Sequence, residues 1–228
     1  MAALVGLLAV TALVLEVRRG TMNGLTIALL GVLGASAGLL RLIDLPGGGS
    51  GIFFLVVLAG AAYGPRFGLL LGLTAMSTSA VITGGLGPWL PFQMLGLAWM
   101  GAGAGLVGRI TRRLPQAAEV AALAVYGWVW GFVYGAILNL WFWPFAVGQG
   151  PLSWRPGAGL AETVLRYWSF YLVTSAGWDA ADALANAVLI ALTGAALLSA
   201  LRRLAPRLTP WAHFEKDDVS TTAVGATL

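Results

Sequence analysis

Residues 117–143 read AAEVAALAVYGWVWGFVYGAILNLWFW, an apolar run that is long enough to cross a lipid bilayer. A helix that spans the hydrocarbon core, about 30 Å thick, needs about 20 predominantly apolar residues. The apolar residues are continuous rather than alternating with polar ones, which disfavours a membrane β-barrel. This stretch therefore predicts a transmembrane helix, and similar runs on both sides of it extend the prediction to most of the chain.

The composition is that of a membrane protein. The 228-residue chain is 59% hydrophobic and 10% charged, whereas soluble domains carry about 25% charged residues. Its mean hydropathy is +0.86. The 32 glycines would weaken helices in water, but in lipid small residues let helix backbones approach closely. We predict an all-α fold, a polytopic membrane helical bundle.

Apolar runs and turn residues divide the chain into eight predicted helices. They lie at 2–17, 23–43, 52–62, 67–83, 89–108, 117–143, 160–175 and 178–203. We expect an extra N-terminal helix at 1–20, a transmembrane domain at 21–206 and a disordered cytoplasmic tail at 207–228. The first helix is short for a span, and it lacks the A-x-A-like site of a cleaved signal.

The basic residues indicate how the bundle is oriented. The net charge is +4, but these residues lie between apolar runs rather than in one patch, which favours membrane orientation over nucleic-acid binding. If the segment at 160–175 does not cross, nine of the 13 fall on one side: Arg18, Arg19, Arg66, Arg109, Arg112, Arg113, Arg202, Arg203 and Arg207. Because cytoplasmic loops are enriched in Lys and Arg, this side and the C-terminus are predicted to be cytoplasmic.

Tryptophan is concentrated on the opposite, outer side. Six of the ten lie at predicted outer helix ends: Trp89, Trp141, Trp143, Trp154, Trp168 and Trp178. Indole rings favour the membrane interface, so an aromatic belt explains them. An aromatic-lined pocket that opens outward explains them equally well.

Polar residues inside apolar runs are costly in lipid and mark candidate functional positions. Asp179, Asp182 and Asn186 follow the spacing i, i+3, i+7, which places them on one face of the last helix. The predicted substrate-binding residues are Arg41, Trp89, Gln93, Asn139, Trp143, Trp178, Asp179, Asp182 and Asn186. The structural alternatives are an ion pair of Arg41 with Asp44, Asp179 or Asp182 and interhelical hydrogen bonds of the amides.

Small residues recur at a spacing of four, which places them on one helix face. The repeats include Gly60, Gly64, Gly68 and Gly72 on one stretch and Gly31 and Ala35 on an earlier helix. Such faces either pack helices together inside this bundle or form a docking surface for a partner membrane subunit. The sequence leaves both interpretations open.

Motifs for catalysis or nucleotide binding are missing or lack the right context. The chain has no cysteine, which excludes disulfides, thiol catalysis and a Cys-based metal site. Residues 103–108 match GxGxxG but lie in an apolar helix with no strand before it. No serine stands in a nucleophile elbow. We predict no catalytic residues, no metal site and no cofactor in this chain, so any ATP would be used by partner subunits.

Five stretches carry a family resemblance. They are residues 53–60 (FFLVVLAG), 63–68 (YGPRFG), 84–96 (GGLGPWLPFQMLG), 139–144 (NLWFWP) and 175–179 (SAGWD). In this order they resemble the substrate-binding S component of bacterial energy-coupling factor (ECF) vitamin transporters. The resemblance covers roughly residues 23–205 and leaves out the first helix and the acidic tail.

The resemblance implies a six-helix core in the bacterial plasma membrane that binds a vitamin or related micronutrient from outside. It also implies a transmembrane coupling protein and two cytoplasmic ATPases that power release inward. The faces around Gly31/Ala35 and Gly64/Gly68/Gly72 would slide on the coupling protein. Cobalamin-type S components are the closest match in kind, although riboflavin, a thiamine precursor or a queuosine-like base would suit the polar and aromatic residues nearly as well.

Two other classes of function compete with this interpretation. A stand-alone secondary transporter or channel would need an ionisable residue near the midplane, whereas the charged positions cluster at helix ends. A membrane enzyme could use Asp179 and Asp182 on a lipid phosphate with Mg²⁺. Such sites generally assemble more carboxylates than this pair.

Overall fold

The computed structural model describes residue 11 and residues 22–43, 45, 49–146 and 150–209. Apart from residue 11, the predicted N-terminal helix at 2–17 lies outside these described residues, as does the tail after residue 209. Within them the chain forms seven α-helices and no strand. The prediction of an all-α membrane bundle is confirmed.

The helices begin and end within three residues of the predicted bounds. They are α1 (Gly24–Leu40), α2 (Ile52–Tyr63), α3 (Pro65–Thr83), α4 (Leu90–Thr111), α5 (Gln116–Phe142), α6 (Leu160–Thr174) and α7 (Ala176–Leu204). Short 3-10 turns extend α5 through Trp143–Phe145 and α7 through Ala205–Arg207. Glycines shape the ends of α3, because Gly64 before it and Gly84 after it both have positive φ.

Four of these helices, α3, α4, α5 and α7, have the length and apolar composition to cross a membrane. Helices α1 and α2 are apolar but have only 17 and 12 residues. Helix α6 has 15 residues and is amphipathic, with Phe170 and Tyr171 buried and Leu160, Leu165 and Leu172 exposed. The chain is thus a multi-pass membrane protein, and α6 is outside the set of candidate spans.

Helix α2 forms the centre of the bundle. All 12 of its residues are buried, and it packs against α4, α3, α7 and α1. Its sequence, IFFLVVLAGAAY, has no polar face, which is typical of a helix surrounded on every side. The longer helices therefore assemble around a half-length helix that does not itself face lipid.

Glycines bring α2, α3 and α4 into backbone contact. A Cβ atom built on Gly60 or Gly68 would collide with the Gly101 carbonyl, and one on Gly72 would collide with the backbone of Ala98. Such close approach is the known use of small residues in membrane helices. This contact surface is continuous across the Pro65 break, because Gly105 packs on Gly64 and Pro65.

This packing corrects part of the docking prediction. Gly64, Gly68 and Gly72 are buried against α4, so their small size serves contacts inside the bundle and leaves no surface for a partner. Gly31 differs, because it is exposed and no atom lies within 4 Å of the position its Cβ would take. Ala35, on the same face of α1, is partly exposed.

A second glycine stripe joins α5 to α7. Gly127, Gly131 and Gly135, four residues apart, contact Asn186 and Ile190, Ala183, and Asp179 in turn. Because glycine has no side chain, α7 can approach the α5 backbone closely at each of these three positions. The stripe therefore determines which residues of α7 face α5.

Four helix termini that lie next to basic residues in the sequence meet at one end of the bundle. They are the start of α1, the end of α2, the start of α5 and the end of α7. Here Tyr63 donates a 2.8 Å hydrogen bond to the Leu201 carbonyl, and Arg202 forms a bidentate ion pair with Glu119 at 2.6 and 2.8 Å. The Thr209 backbone N–H donates to the Thr26 hydroxyl at 3.0 Å, and the two threonine hydroxyls lie within hydrogen-bond distance of each other, also at 3.0 Å. Because Thr209 is buried, the packed part of the chain extends past residue 206. We call this the basic end.

Candidate functional site

Most of the predicted binding residues lie toward the opposite end of the bundle. Helix α7 places Asp179, Asp182 and Asn186 on one face, as their spacing predicts. Two glycines of the α5 stripe contact these residues: Gly135 packs against Asp179, and Gly127 packs against Asn186. This face is therefore packed against the bundle rather than exposed to lipid.

Asn186 is the deepest of the three and is fully buried. Its Nδ2 donates a 3.0 Å hydrogen bond to the Gly127 carbonyl, which ties α7 to α5. Its Oδ1 atom is buried with no partner among the described residues. The interhelical bond that the sequence offered as an alternative is present, and one acceptor remains unused.

Asp182 connects α7 to the segment that leads into α2. Its Oδ1 accepts a 2.5 Å hydrogen bond from the Ser50 backbone N–H. Just before it in the chain, Gly49 packs on Ala181 and Ala185 of α7. This carboxylate therefore holds the segment at 49–51 over the N-terminal part of α7.

Arg41 follows α1 and points into the same region. Its Nη1 donates long hydrogen bonds to the sulfur of Met76, at 3.3 Å, and to the hydroxyl of Ser79, at 3.4 Å. Among the described residues no carboxylate lies within ion-pair distance of it, although Asp182 and Tyr134 are near enough to interact with it electrostatically. The predicted ion pair to Asp179 or Asp182 is thus not formed, and Asp44 lies outside the described residues.

Tyr134 completes this group and was missed by the sequence interpretation. It is 8% exposed, its ring lies 4.9 Å from that of Phe53, and Gly96 of α4 makes room for it. No described residue hydrogen-bonds to its hydroxyl. We call Arg41, Tyr134, Asp179 and Asp182 the inner polar cluster.

Three buried side-chain oxygens in the described part of the chain have no hydrogen-bond partner: Gln93 Oε1, Asp179 Oδ2 and Asn186 Oδ1. All three belong to residues that the sequence predicted to bind substrate. An orphaned buried acceptor costs free energy, about 1–3 kcal/mol, and such atoms in native proteins call for a ligand or water. The Tyr171 hydroxyl near Asp179 donates instead to the Phe132 carbonyl, at 3.3 Å.

A cavity of about 490 Å³ opens beside the junction of α6 and α7. Its lining combines aromatic and polar side chains: Phe142, Phe145, Ala146, Phe170, Asn139, Thr174 and Ser175. Its volume is within the range of small-molecule sites. We call it the outer cavity, because it lies at the end of the bundle that the sequence predicts to face outward.

Asn139 links the outer cavity to the inner polar cluster. Its Oδ1 accepts from the Ser175 hydroxyl and its Nδ2 donates to the Gly135 carbonyl, both at 2.9 Å. Gly135 in turn lies under the Asp179 carboxylate. Asn139, which lines the cavity, is thus connected to the Asp179 carboxylate through a single residue, Gly135.

The three predicted tryptophans have different environments. Trp89 and Trp178 are exposed, which accords with an aromatic belt. Trp143 is buried and donates a 2.7 Å hydrogen bond to the Leu152 carbonyl. The structure therefore gives Trp143 a role in holding the α5–α6 connection, and phenylalanines rather than tryptophans line the cavity.

Helix α6 packs on the C-terminal half of α5 through its tyrosines. Tyr167 donates a hydrogen bond to the Ala136 carbonyl and stacks edge-on against Trp143 at 5.5 Å. Burial raises the pKa of Tyr167 to about 12, so the hydroxyl stays protonated and remains a donor. Arg166 adds hydrogen bonds to the Pro151 carbonyl and to Glu162, both at 2.9 Å.

Chemically, the arrangement suits binding. Hydrogen-bonding groups from α1, α5 and α7, which are distant in sequence, meet beside an aromatic cavity, as in sites that enclose a small molecule. Two signals in the sequence could have found the missed residues. The glycine repeat at 127, 131 and 135 identifies the α5 face that carries Tyr134, and Ser175 belongs to the SAGWD stretch.

Comparison with known proteins agrees with this picture. The family model for the ECF transporter, substrate-specific component, matches residues 25–201, more than three quarters of the chain. No curated protein and no solved structure gives a match. The matched region contains five of the seven described helices whole and nearly all of α1 and α7, together with both parts of the candidate site. This chain belongs to the family of substrate-specific components of ECF transporters.

Proposed function

We propose that this protein captures a vitamin-type micronutrient on the outer face of a bacterial membrane and hands it to an ATP-driven coupling module. The observation that carries the proposal is the position of the outer cavity and the inner polar cluster, side by side at the end of the bundle opposite the basic end. The basic end is then cytoplasmic, as the positive-inside rule favours, and the site faces outward.

A cobalamin-type ligand is the first candidate. Such a ligand is large, partly apolar and rich in amide groups, which suits an aromatic lining with phenylalanines at 142, 145 and 170. It also suits unpartnered acceptors close by, because amide N–H groups are donors. The chain itself would bind without transforming the ligand.

The proposed partners are a membrane coupling protein and two cytoplasmic ATPases. On this chain, the exposed face of α1 around Gly31 and Ala35 supports such a contact, because Gly31 has open space above it. Small residues let a second helix approach closely in lipid. The neighbouring Val32 is 63% exposed and adds apolar area.

The proposal is tested on protein purified in detergent or nanodiscs. Native mass spectrometry would identify a co-purified small molecule, and calorimetry would measure the binding of cobalamin. Asn139→Ala removes the hydrogen bond from Ser175, the residue before α7, and the one to the Gly135 carbonyl of α5, and it is expected to weaken binding at least tenfold. Gln116→Ala is a control, because Gln116 lies at the basic end and bonds to Ala195 and Ser199.

Two results would contradict the proposal. One is an unchanged affinity in Asn139→Ala protein that is correctly folded, which would remove the cavity from the site. The other is uptake by cells that express this chain but lack ATPase partners, which would favour a stand-alone transporter.

A further inference from the structure

We infer that the inner polar cluster selects for a neutral or cationic ligand group that carries N–H or O–H donors, and that it discriminates against anionic ligands. This inference rests on the proposed function and deepens it by naming the chemistry of the ligand. It follows from three features of the cluster: its charge, its unused hydrogen-bonding atoms and its burial.

The charge of the cluster is the first feature. Arg41 contributes one positive charge, and Asp179 and Asp182 contribute two negative charges when ionised, so the sum is −1. Among the described residues, Arg155 and Arg166 are bonded to Glu162 and therefore do not offset this charge. An anionic group brought here would be repelled by the net negative charge. This repulsion is stronger in surroundings of low dielectric constant than in water.

An unused acceptor is the second feature. Asp179 Oδ2 is buried and accepts no hydrogen bond from described residues. An acceptor in this state is satisfied by a donor, and a charge-assisted bond to a carboxylate is about twice as strong as a neutral one. A ligand group bearing N–H or O–H would supply that donor, whereas a carboxylate or phosphate would not.

Burial is the third feature, and Tyr134 shows it most clearly. Its side chain is more than nine-tenths buried beside Phe53, yet its hydroxyl has no partner among the described residues. The hydroxyl can donate to or accept from a ligand. Arg41, whose hydrogen bonds within the described residues go to Met76 and Ser79, can donate as well. The cluster thus best fits a group with a donor beside an acceptor, such as an amide or lactam edge.

A panel of six soluble vitamins tests the inference on the full-length protein in nanodiscs. Cobalamin, riboflavin and thiamine are neutral or cationic and carry donors, whereas biotin, pantothenate and folate are anionic. Calorimetry is expected to find at least one of the first three bound at least tenfold more tightly than each of the second three. Tighter binding of an anionic vitamin would overturn the inference and leave the proposed function standing. Failure of all six to bind would contradict both.

A pair of variants locates the selectivity in the cluster. Asp179→Asn keeps the shape of the side chain but removes its charge. It is expected to lower the affinity for the preferred ligand at least tenfold and to reduce the difference between that affinity and the affinities for the anionic vitamins. Glu162→Gln makes the same chemical change on α6, outside the cluster, and is expected to leave the panel unchanged. Thermal unfolding confirms that both variants fold. If the Asp179→Asn protein folds and its affinities for the six vitamins equal those of the unsubstituted protein, the inference is overturned.

Discussion

The carboxylate of Asp179 lies directly on Gly135, in the space that a Cβ atom at this position would occupy. The contact joins α7 to α5, and it places an acid with a buried, unpartnered oxygen next to the Asn139 side chain. A glycine is thus required on α5 for a charged group of α7 to be held at this depth.

We expect Gly135→Ala to displace Asp179 and to lower stability by about 1–3 kcal/mol, the usual cost of overpacking. Gly177→Ala is the matched control, because its Cβ would meet no atom within 4 Å and alanine is the better helix former. Thermal unfolding in detergent measures both. Equal stability of the two variants would show that Asp179 does not rest on Gly135.

Gly68→Leu is expected to prevent correct folding, because Gly68 touches the backbone of Gly101 and of Gly60. Ligand binding and assembly with a coupling protein should therefore fall together. Gly31→Leu, on the open face of α1, should reduce assembly while ligand binding is retained. Co-purification with the coupling protein and calorimetry distinguish the two. Normal assembly of Gly31→Leu would remove α1 from the proposed docking surface.

Glu119→Gln is expected to destabilise the basic end. Glu119 is 2% exposed and is paired with Arg202 at 2.6 Å. Breaking a buried pair by removing one partner costs about 3–5 kcal/mol, and we expect the lower end of that range because Arg202 is partly exposed. Denaturant unfolding measures the loss. If Glu119→Gln with Arg202→Met is no more stable than Glu119→Gln alone, the uncompensated charge is not the cause.

Asn186→Ala should affect stability more than it affects ligand affinity. The change removes the buried hydrogen bond that Asn186 donates to the Gly127 carbonyl, which is worth about 0.5–1.5 kcal/mol, and it leaves a gap where the Asn186 side chain packs against Gly127. Asn139→Ala, at the outer cavity, should instead lower ligand affinity more than it lowers stability. A folded Asn186→Ala protein with normal stability and no ligand binding would instead place Asn186 in direct contact with the ligand.

Much of the fold could be predicted because the bilayer imposes simple rules on a sequence. Apolar runs reveal helices through their length, and basic residues reveal which helix ends lie together; the Glu119–Arg202 and Thr26–Thr209 contacts bear out that grouping. The spacing of Asp179, Asp182 and Asn186 placed them on one helix face, and the structure has them there.

Partners across helices could not be derived in this way. A helix such as α2, which is apolar on every side, carries no periodic signal of what surrounds it, so its central position was not foreseen. For the same reason the spacing of Gly64, Gly68 and Gly72 leaves open whether they meet a partner subunit or a neighbouring helix, and only the structure shows that they pack on α4. Tyr134 was missed because a lone tyrosine in an apolar run does not reveal that Arg41 and Asp182 lie near it.

Hydropathy, helix length, charge asymmetry and face periodicity are local properties, and for this chain they suffice to derive a multi-pass helical bundle with its polar residues toward one end. The rotation of each helix and the depth at which neighbours cross depend on backbone contacts between residues far apart in the chain. Those contacts, made at Gly68 with Gly101 and at Gly135 with Asp179, decide which polar groups share a cavity. The site therefore exists only once the helices are packed.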